Sequence, residues 1–197
     1  MNRKVCLAIA LTIATAAAQN RLTPEESSGG WKLLFDGKTM TGWEQHGDGD
    51  WVVKDSALAC QGTKPSWLGS SGSYGNYVLK LEFRGAATVN SGVFLRSQKE
   101  GQPHVTGYEL QIWDTQPAGY NTGSLVGTAK ASRVKLRGDQ WNQYEITASG
   151  GNFTIVLNGE KALDTTDSKH AEGVIGFQCQ KGHPIEFRNI KIRVPTK

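Results

Sequence analysis

Several features that would announce a function class are missing from this sequence. No GxSxG elbow, HExxH pair, phosphate loop or GxGxxG turn is present, so a serine triad, a helical zinc site and a nucleotide cradle have no local support. The histidines His46, His104, His170 and His183 are scattered, none at ligand spacing to another, and neither a metal nor a cofactor is expected. The longest apolar run, Val5 to about Ala14, falls well short of the ~20 residues that cross a bilayer as a helix, so no membrane span is expected. Blocks of Lys and Arg are absent too, which leaves nucleic acid and acidic membranes without an electrostatic footprint. After Ala18 no helical periodicity lasts beyond two turns.

What is there fits one compact domain. The chain has 197 residues with 24 glycines, 6 tryptophans and 38% hydrophobic residues, enough to fill a core and to turn often. The glycines follow no three-residue period, so collagen is excluded and an all-β protein is favoured. Residues 1–18 have the pattern of a secretory leader: Arg3 and Lys4, then the apolar run, then Ala16-Ala17-Ala18. Without that leader the formal net charge falls from +4 to +2, and the mature chain is expected in the periplasm or outside the cell. Residues 19–30 are polar and aperiodic and read as a mobile lead-in, followed by a single β-sandwich domain over residues 31–197. Cys60 and Cys179 remain after maturation. They are either joined, as an oxidising compartment permits, or buried as thiols beside Leu58, Ile175 and Phe177.

The strand signals are short and frequent. Tyr77 to Arg84 alternates strictly, with Tyr77, Leu79, Leu81 and Phe83 on one side and Lys80, Glu82 and Arg84 on the other. Asn152–Leu157, Asn158-Gly159 and Glu160–Asp164 form a hairpin signature, because a type I′ turn needs positive φ at both central residues. Further runs stand at Trp51–Val53, Ala57–Cys60, Gly92–Arg96, Tyr108–Trp113, Tyr144–Ala148, Val174–Cys179 and Ile185–Val194. Many short strands between turn residues indicate an antiparallel β-sandwich or jelly roll.

Two of these strands carry the candidate site. In Gly92–Arg96, Val93 and Leu95 share one phase and Phe94 and Arg96 the other; in Tyr108–Trp113, Leu110 and Ile112 oppose Glu109, Gln111 and Trp113. If the strands pair, one face carries Phe94, Arg96, Glu109, Gln111 and Trp113. Aromatic rings with a cation, a carboxylate and an amide suit a sugar, which offers both C–H faces and hydroxyls. A solvated sheet face with one Arg–Glu cross-strand pair is the plainer alternative. Glu109 and Asp114 lie about 16 Å apart in an unbroken strand and on opposite faces, so they are no acid/base pair. Glu186 is a candidate second carboxyl or a surface salt-bridge partner.

With these residues in view, the chain resembles the 3-keto-disaccharide hydrolase domain family. The resemblance runs from Trp31 to about Val194 and is carried by the order of its motifs: Trp31-Lys32-Leu33-Leu34-Phe35-Asp36-Gly37-Lys38, Gly42-Trp43, Asn90-Ser91-Gly92-Val93-Phe94-Leu95-Arg96, Gly107-Tyr108-Glu109-Leu110-Gln111-Ile112-Trp113-Asp114, Thr122-Gly123-Ser124-Leu125, Trp141-Asn142-Gln143-Tyr144 and Glu186-Phe187-Arg188-Asn189-Ile190. It implies a concanavalin A-like jelly roll with a sugar-holding concave face. It also implies a secreted enzyme that cleaves 3-keto-glycosides by hydrolysis or elimination, with a lectin-like module without catalysis as the alternative.

A C3 ketone acidifies the neighbouring C2–H, so such chemistry needs one base and a donor for the enolate. On that basis Glu109 is assigned as base or hydroxyl contact, and Arg96 as enolate stabiliser or orienting residue. Gln111, Asp114, Trp113, Phe94, Gln178, Arg188 and His183 are assigned to substrate binding. Arg188, in phase with Ile190 and Ile192, is alternatively a structural arginine paired with an acid. Trp67 and Tyr120 lie in Gly/Ser/Pro-rich segments read as loops at the rim. Two departures stand out. Where family members carry Asp-His after the late-strand glutamine, this chain reads Gln178-Cys179-Gln180-Lys181-Gly182-His183, and a family tyrosine is replaced by Val126.

Overall fold

The structure is a computed structural model that describes residues 19–195; the leader lies outside the described residues. In chain order the elements are α1 (Pro24–Ser28), β1 (Trp31–Leu33), β2 (Trp43–Gly47), β3 (Trp51–Lys54), β4 (Ala57–Cys60), β5 (Ser66–Tyr74), β6 (Tyr77–Gly85) and β7 (Ser91–Ser97). They continue with α2 (Pro103–Thr106), β8 (Tyr108–Ile112), β9 (Asn142–Ser149), β10 (Asn152–Leu157), β11 (Glu160–Thr166), β12 (Gly173–Cys179) and β13 (Ile185–Arg193). Two antiparallel sheets face each other. The larger runs β11-β10-β9-β6-β13-β4-β3 with β1 on β13, and the smaller runs β2-β5-β12-β7-β8. The all-β sandwich expected from the strand spacing is therefore the fold.

Alternation decides which side chains enter the core. Tyr77, Leu79, Leu81 and Phe83 of β6 are buried, while the residues between them stay half-exposed. Their partners across the sandwich are the apolar phases of the smaller sheet, and an aromatic line ties the layers: Phe177 stacks on Phe187 at 4.2 Å and on Trp43 at 4.9 Å. Among the tryptophans, Trp43 and Trp51 are buried in the core between the sheets. Trp31 and Trp141 are not in the core; they lie under cations, Arg188 standing 3.9 Å and Arg84 4.6 Å from Trp141. Cys60 and Cys179 are joined as a disulfide, with Cα atoms 6.1 Å apart, and so pin the end of β12 to β4 in the other sheet.

The β10–β11 hairpin closes as its Asn-Gly signature requires, with Leu157 opposite Glu160, φ 53° at Asn158 and φ 88° at Gly159. A Cβ at Gly159 meets no neighbour, so the cost of Gly159→Ala is conformational only. The expected loss is about 1 kcal/mol of stability in denaturant unfolding; an unchanged midpoint would mean the turn relaxes to another type.

Two expectations are corrected here. Residues 19–30 are not a mobile lead-in. Asn20 is 5% exposed and exchanges hydrogen bonds with Asn189, the Asn20 amide donating at 2.6 Å and the Asn189 amide returning one at 2.9 Å. Thr23 and Glu26 form a capping box on α1, and Glu26 pairs with Lys191. The segment docks through polar groups rather than an apolar face, and hydropathy patterning registers only the latter.

The second correction concerns β2 and β5, which carry too few apolar residues for alternation to mark them as strands. Ser66–Tyr74 is a strand because β2 and β12 both pair with it, and its small residues make room for an indole.

Candidate functional site

The outer face of the smaller sheet, away from the core, is built in rows by strand register. Phe94 lies opposite Glu109, and Gly92 opposite Gln111, as β7 pairs with β8. On the other side of β7, β12 brings Gly176 beside Phe94; Gln178 of β12 in turn lies opposite Trp67 of β5. Trp67 is itself opposite His46 of β2. One row thus reads His46, Trp67, Gln178, Gly92, Gln111, and the next reads Glu44, Gly69, Gly176, Phe94, Glu109.

The glycines let the large groups lean. A Cβ at Gly176 would stand 2.9 Å from the Trp67 ring, and one at Gly69 2.7 Å from it, so the indole lies over bare backbone. Trp67 stacks on His46 at 4.0 Å and meets Phe94 edge-on at 5.9 Å. On the neighbouring strand Glu109 leans over Gly92, where a Cβ would be 3.0 Å from both its Cγ and its Oε1. That lean brings Glu109 Oε1 to Gln178, whose Nε2 donates to it at 3.0 Å.

Burial in this row makes Glu109 an unusual acid. It is 9% exposed, and desolvation raises its pKa from the ordinary 4.5 to about 7, with the Gln178 hydrogen bond only partly opposing the rise. No cation lowers it. At neutral pH the group holds and releases a proton with comparable ease, which is the property a proton-transfer catalyst needs. Burial also pushes the His46 imidazole below its ordinary value. His46 Nε2 and Gln178 Oε1 are both buried without a hydrogen-bond partner among the described residues, and both side chains line an open groove of about 420 Å³ bounded opposite by Lys99 and α2.

The register also separates the carboxylates. Glu44 is on the same face, but four strand spacings at about 4.8 Å put its strand ~19 Å from that of Glu109. It is occupied by Lys99 at 2.8 Å.

Of the residues expected to share this site, Glu109, Gln111, Phe94 and Gln178 come together, and Arg96 does not. At Arg96 the backbone turns left-handed, φ 55°, next to a register irregularity between β7 and β12. The side chain is thereby reversed into the protein and is 1% exposed. Its guanidinium donates to the carbonyls of Gly75 at 2.9 Å, Gly150 at 2.8 Å and His170 at 3.1 Å, and stacks 5.0 Å from Phe153. It is a structural arginine.

Trp113 follows the end of β8 and does not continue its alternation; its Nε1 donates to Thr115 Oγ1 at 3.1 Å. Asp114 lines a different cleft, at the end of the sandwich. Arg188 is on the larger sheet, paired with Glu82 at 2.7 Å. Glu186 is there too, held by Arg84 at 2.6 Å, and is no second carboxyl for Glu109. His183 accepts the Asn90 N–H on Nδ1 at 3.1 Å, which makes it a clasp for the start of β7 rather than a base. Among the described residues, the one group with metal-ligand geometry is Asp50 with Cys60 and Cys179, whose sulfurs are already joined to each other.

Sequence reasoning missed His46 as a site residue and set Trp67 at a loop rim. The usable signal was alternation in Trp43–Gly47, where Trp43 is buried and Glu44 and His46 take the opposite phase. One apolar residue is too little to reveal a strand by itself.

An antiparallel two-sheet sandwich with a buried carboxyl and an aromatic-lined groove on one outer face is of the galectin-like and concanavalin A-like type. Residues 30–193 match the 3-keto-alpha-glucoside-1,2-lyase-like domain, and the chain belongs to that family. Family membership gives it a carbohydrate-related function. Among solved structures it is similar to a Parabacteroides distasonis ATCC 8503 protein provisionally assigned as a glycosyl hydrolase, at 24% identity and TM-score 0.79, covering 90% of this chain and 100% of that one. It is also similar to the carbohydrate-binding module CBM66 of Bacillus subtilis, at 18% identity and TM-score 0.62, covering 77% and 95% of the two chains. A third is the exoplasmic/lumenal domain of VIP36 with bound Ca2+ and Man3GlcNAc, at 12% identity and TM-score 0.60, covering 85% and 90%. At these identities the likeness is one of fold. No curated protein matches the chain.

Proposed function

We propose that this protein is an exported enzyme that cleaves 3-keto-glycosides, with Glu109 as its proton-transfer group. The observation that carries the reading is a buried carboxyl raised to about 7, with no second carboxylate on its face within reach among the described residues. A glycosidase acting through two carboxylates needs them about 5 to 10 Å apart, and Glu44 is far outside that range. A 3-keto sugar needs only one. Ionised Glu109 takes the C2 proton and the electron pair delocalises into the C3 carbonyl as an enolate. The pair then forms the C1–C2 double bond as the C1–O bond breaks and the carbonyl is restored. The leaving oxygen takes up a proton, which Glu109 now holds. Water adding across C1–C2 completes hydrolysis; without it the product is that of elimination. Gln178 and Gln111 are the amides on this face for substrate oxygens. Export is supported by the leader pattern and by the Cys60–Cys179 disulfide.

A lectin-like role is the second reading. It is favoured by the replacement of the family's Asp-His pair with Cys179, which is tied in the disulfide, and Gln180. Incubation with an aryl 3-keto-glucoside separates the two: release of the aryl alcohol, with kcat/KM rising with pH through about 7 as Glu109 ionises, is expected of the enzyme. Saturable binding without release would leave the lectin.

Gly92→Ala tests the placement of the base. The new methyl group would stand 3.0 Å from the Glu109 carboxyl and force it off Gln178. Displacement by less than an ångström is enough to cost tenfold or more, so kcat is expected to fall by about 10- to 100-fold with the fold intact by circular dichroism. An unchanged kcat would show that the lean over Gly92 is irrelevant to turnover.

A further inference from the structure

A second cleft lies apart from the groove lined by His46, Trp67 and Gln178. It has a volume of about 530 Å³ and opens at the end of the sandwich, between the end of β6, the chain after β8 and the segment leading to β9. That is the size of a small-ligand site, which runs to roughly 300–1,000 Å³. Phe83 and Val134 supply apolar floor, and Asp114, Thr122, Arg133 and Lys135 supply polar groups. Thr122 is 4% exposed, and its Oγ1 has no hydrogen-bond partner among the described residues. A buried hydroxyl left bare carries a desolvation cost that a ligand hydroxyl removes. Nor do Asp114, Arg133 and Lys135 have ion-pair partners among the described residues. Two free cations against one anion favour an anionic ligand.

We infer that this cleft is a second carbohydrate site, separate from the outer-face groove lined by Gln178, and that its ligand is a sugar bearing a carboxylate. The Arg133 fork, with Lys135 beside it, matches a carboxylate. Asp114 accepts ring hydroxyls, Thr122 Oγ1 exchanges a hydrogen bond with one of them, and the apolar floor takes the C–H face. The two sites share no lining residue.

Calorimetric titration of the full chain with glucuronate, glucose and acetate tests this. Glucuronate is expected to bind, with glucose and acetate each at least about tenfold weaker, since each lacks one half of the recognition. Arg133→Ala should weaken glucuronate by about tenfold or more, the worth of one charge-assisted contact. Thr122→Val should weaken it severalfold without lowering the melting temperature of the free protein, because the hydroxyl it removes bonds to nothing there. Glu109→Gln should leave glucuronate affinity unchanged. The inference is overturned by absent glucuronate binding, by affinity indifferent to Arg133→Ala, or by loss on Glu109→Gln, which would move the ligand to the groove. Glucose binding as tightly as glucuronate would remove the carboxylate from the proposal, and acetate doing so would remove the sugar.

Discussion

Glu109→Gln is expected to lower turnover of a 3-keto-glycoside by about 10²- to 10⁴-fold, the usual range for one general acid–base group. The same substitution should make the protein more stable at neutral and alkaline pH, which an ordinary active-site lesion does not do. The reason is linkage. Glu109 has an unfolded value near 4.5 and a folded value raised to about 7, so the native state holds this proton more tightly than the unfolded chain. The stability associated with that proton is fully present below about pH 4.5 and is lost as the pH rises to about 7. A shift of this size corresponds to about 3 kcal/mol. Glutamine has no proton to lose and can still accept the Gln178 hydrogen bond, so the variant escapes the loss. Chemical unfolding of both proteins between pH 4 and 8 should give curves that diverge as the pH rises, the variant lying higher. Parallel curves would refute the buried-carboxyl account, and retained turnover would refute the catalytic one; the two results are independent.

Arg96→Ala should instead act on folding. Three main-chain carbonyls, of Gly75, Gly150 and His170, are satisfied by one guanidinium buried at 1% exposure. Removing it leaves three partly buried acceptors without their donor and a void against Phe153. The expected loss is about 3–5 kcal/mol, from charge-assisted hydrogen bonds to three carbonyls lost together with the packing of a large buried side chain. Relief of the left-handed backbone at Arg96 returns nothing, because alanine dislikes positive φ as well. Lysine should rescue only part of the loss, since its single ammonium cannot reproduce the planar fork that spans three carbonyls. Denaturant midpoints of the two variants measure this. A normal midpoint with lost turnover would return Arg96 to the site, where its phase along β7 had put it.

That contrast between Glu109 and Arg96 shows where a pattern along the chain stops being informative. Both were assigned to one face by the same period-two argument, and for Glu109 and Phe94 the strand pairing bears it out. At Arg96 one residue with positive φ inverts the side chain, and nothing in Phe94-Leu95-Arg96-Ser97 announces a left-handed arginine. Trp113 departs for a related reason: β8 ends at Ile112, so alternation has no strand left to act on.

By itself, then, the sequence determined what depends on local chemistry. Alternating β6, the Asn158-Gly159 hairpin, the two-layer sandwich and the polar phase of β8 all follow from side-chain period and turn preference, which are properties of neighbours in the chain. Tertiary structure alone decided what depends on residues far apart. It joined Cys60 to Cys179 and set Gln178 against Glu109. It made a strand of the glycine- and serine-rich Ser66–Tyr74 by pairing both its edges, docked Asn20 on Asn189 and opened a groove under His46 and Trp67. The proton affinity of Glu109 belongs to this second group, because desolvation is a property of surroundings that only folding assembles.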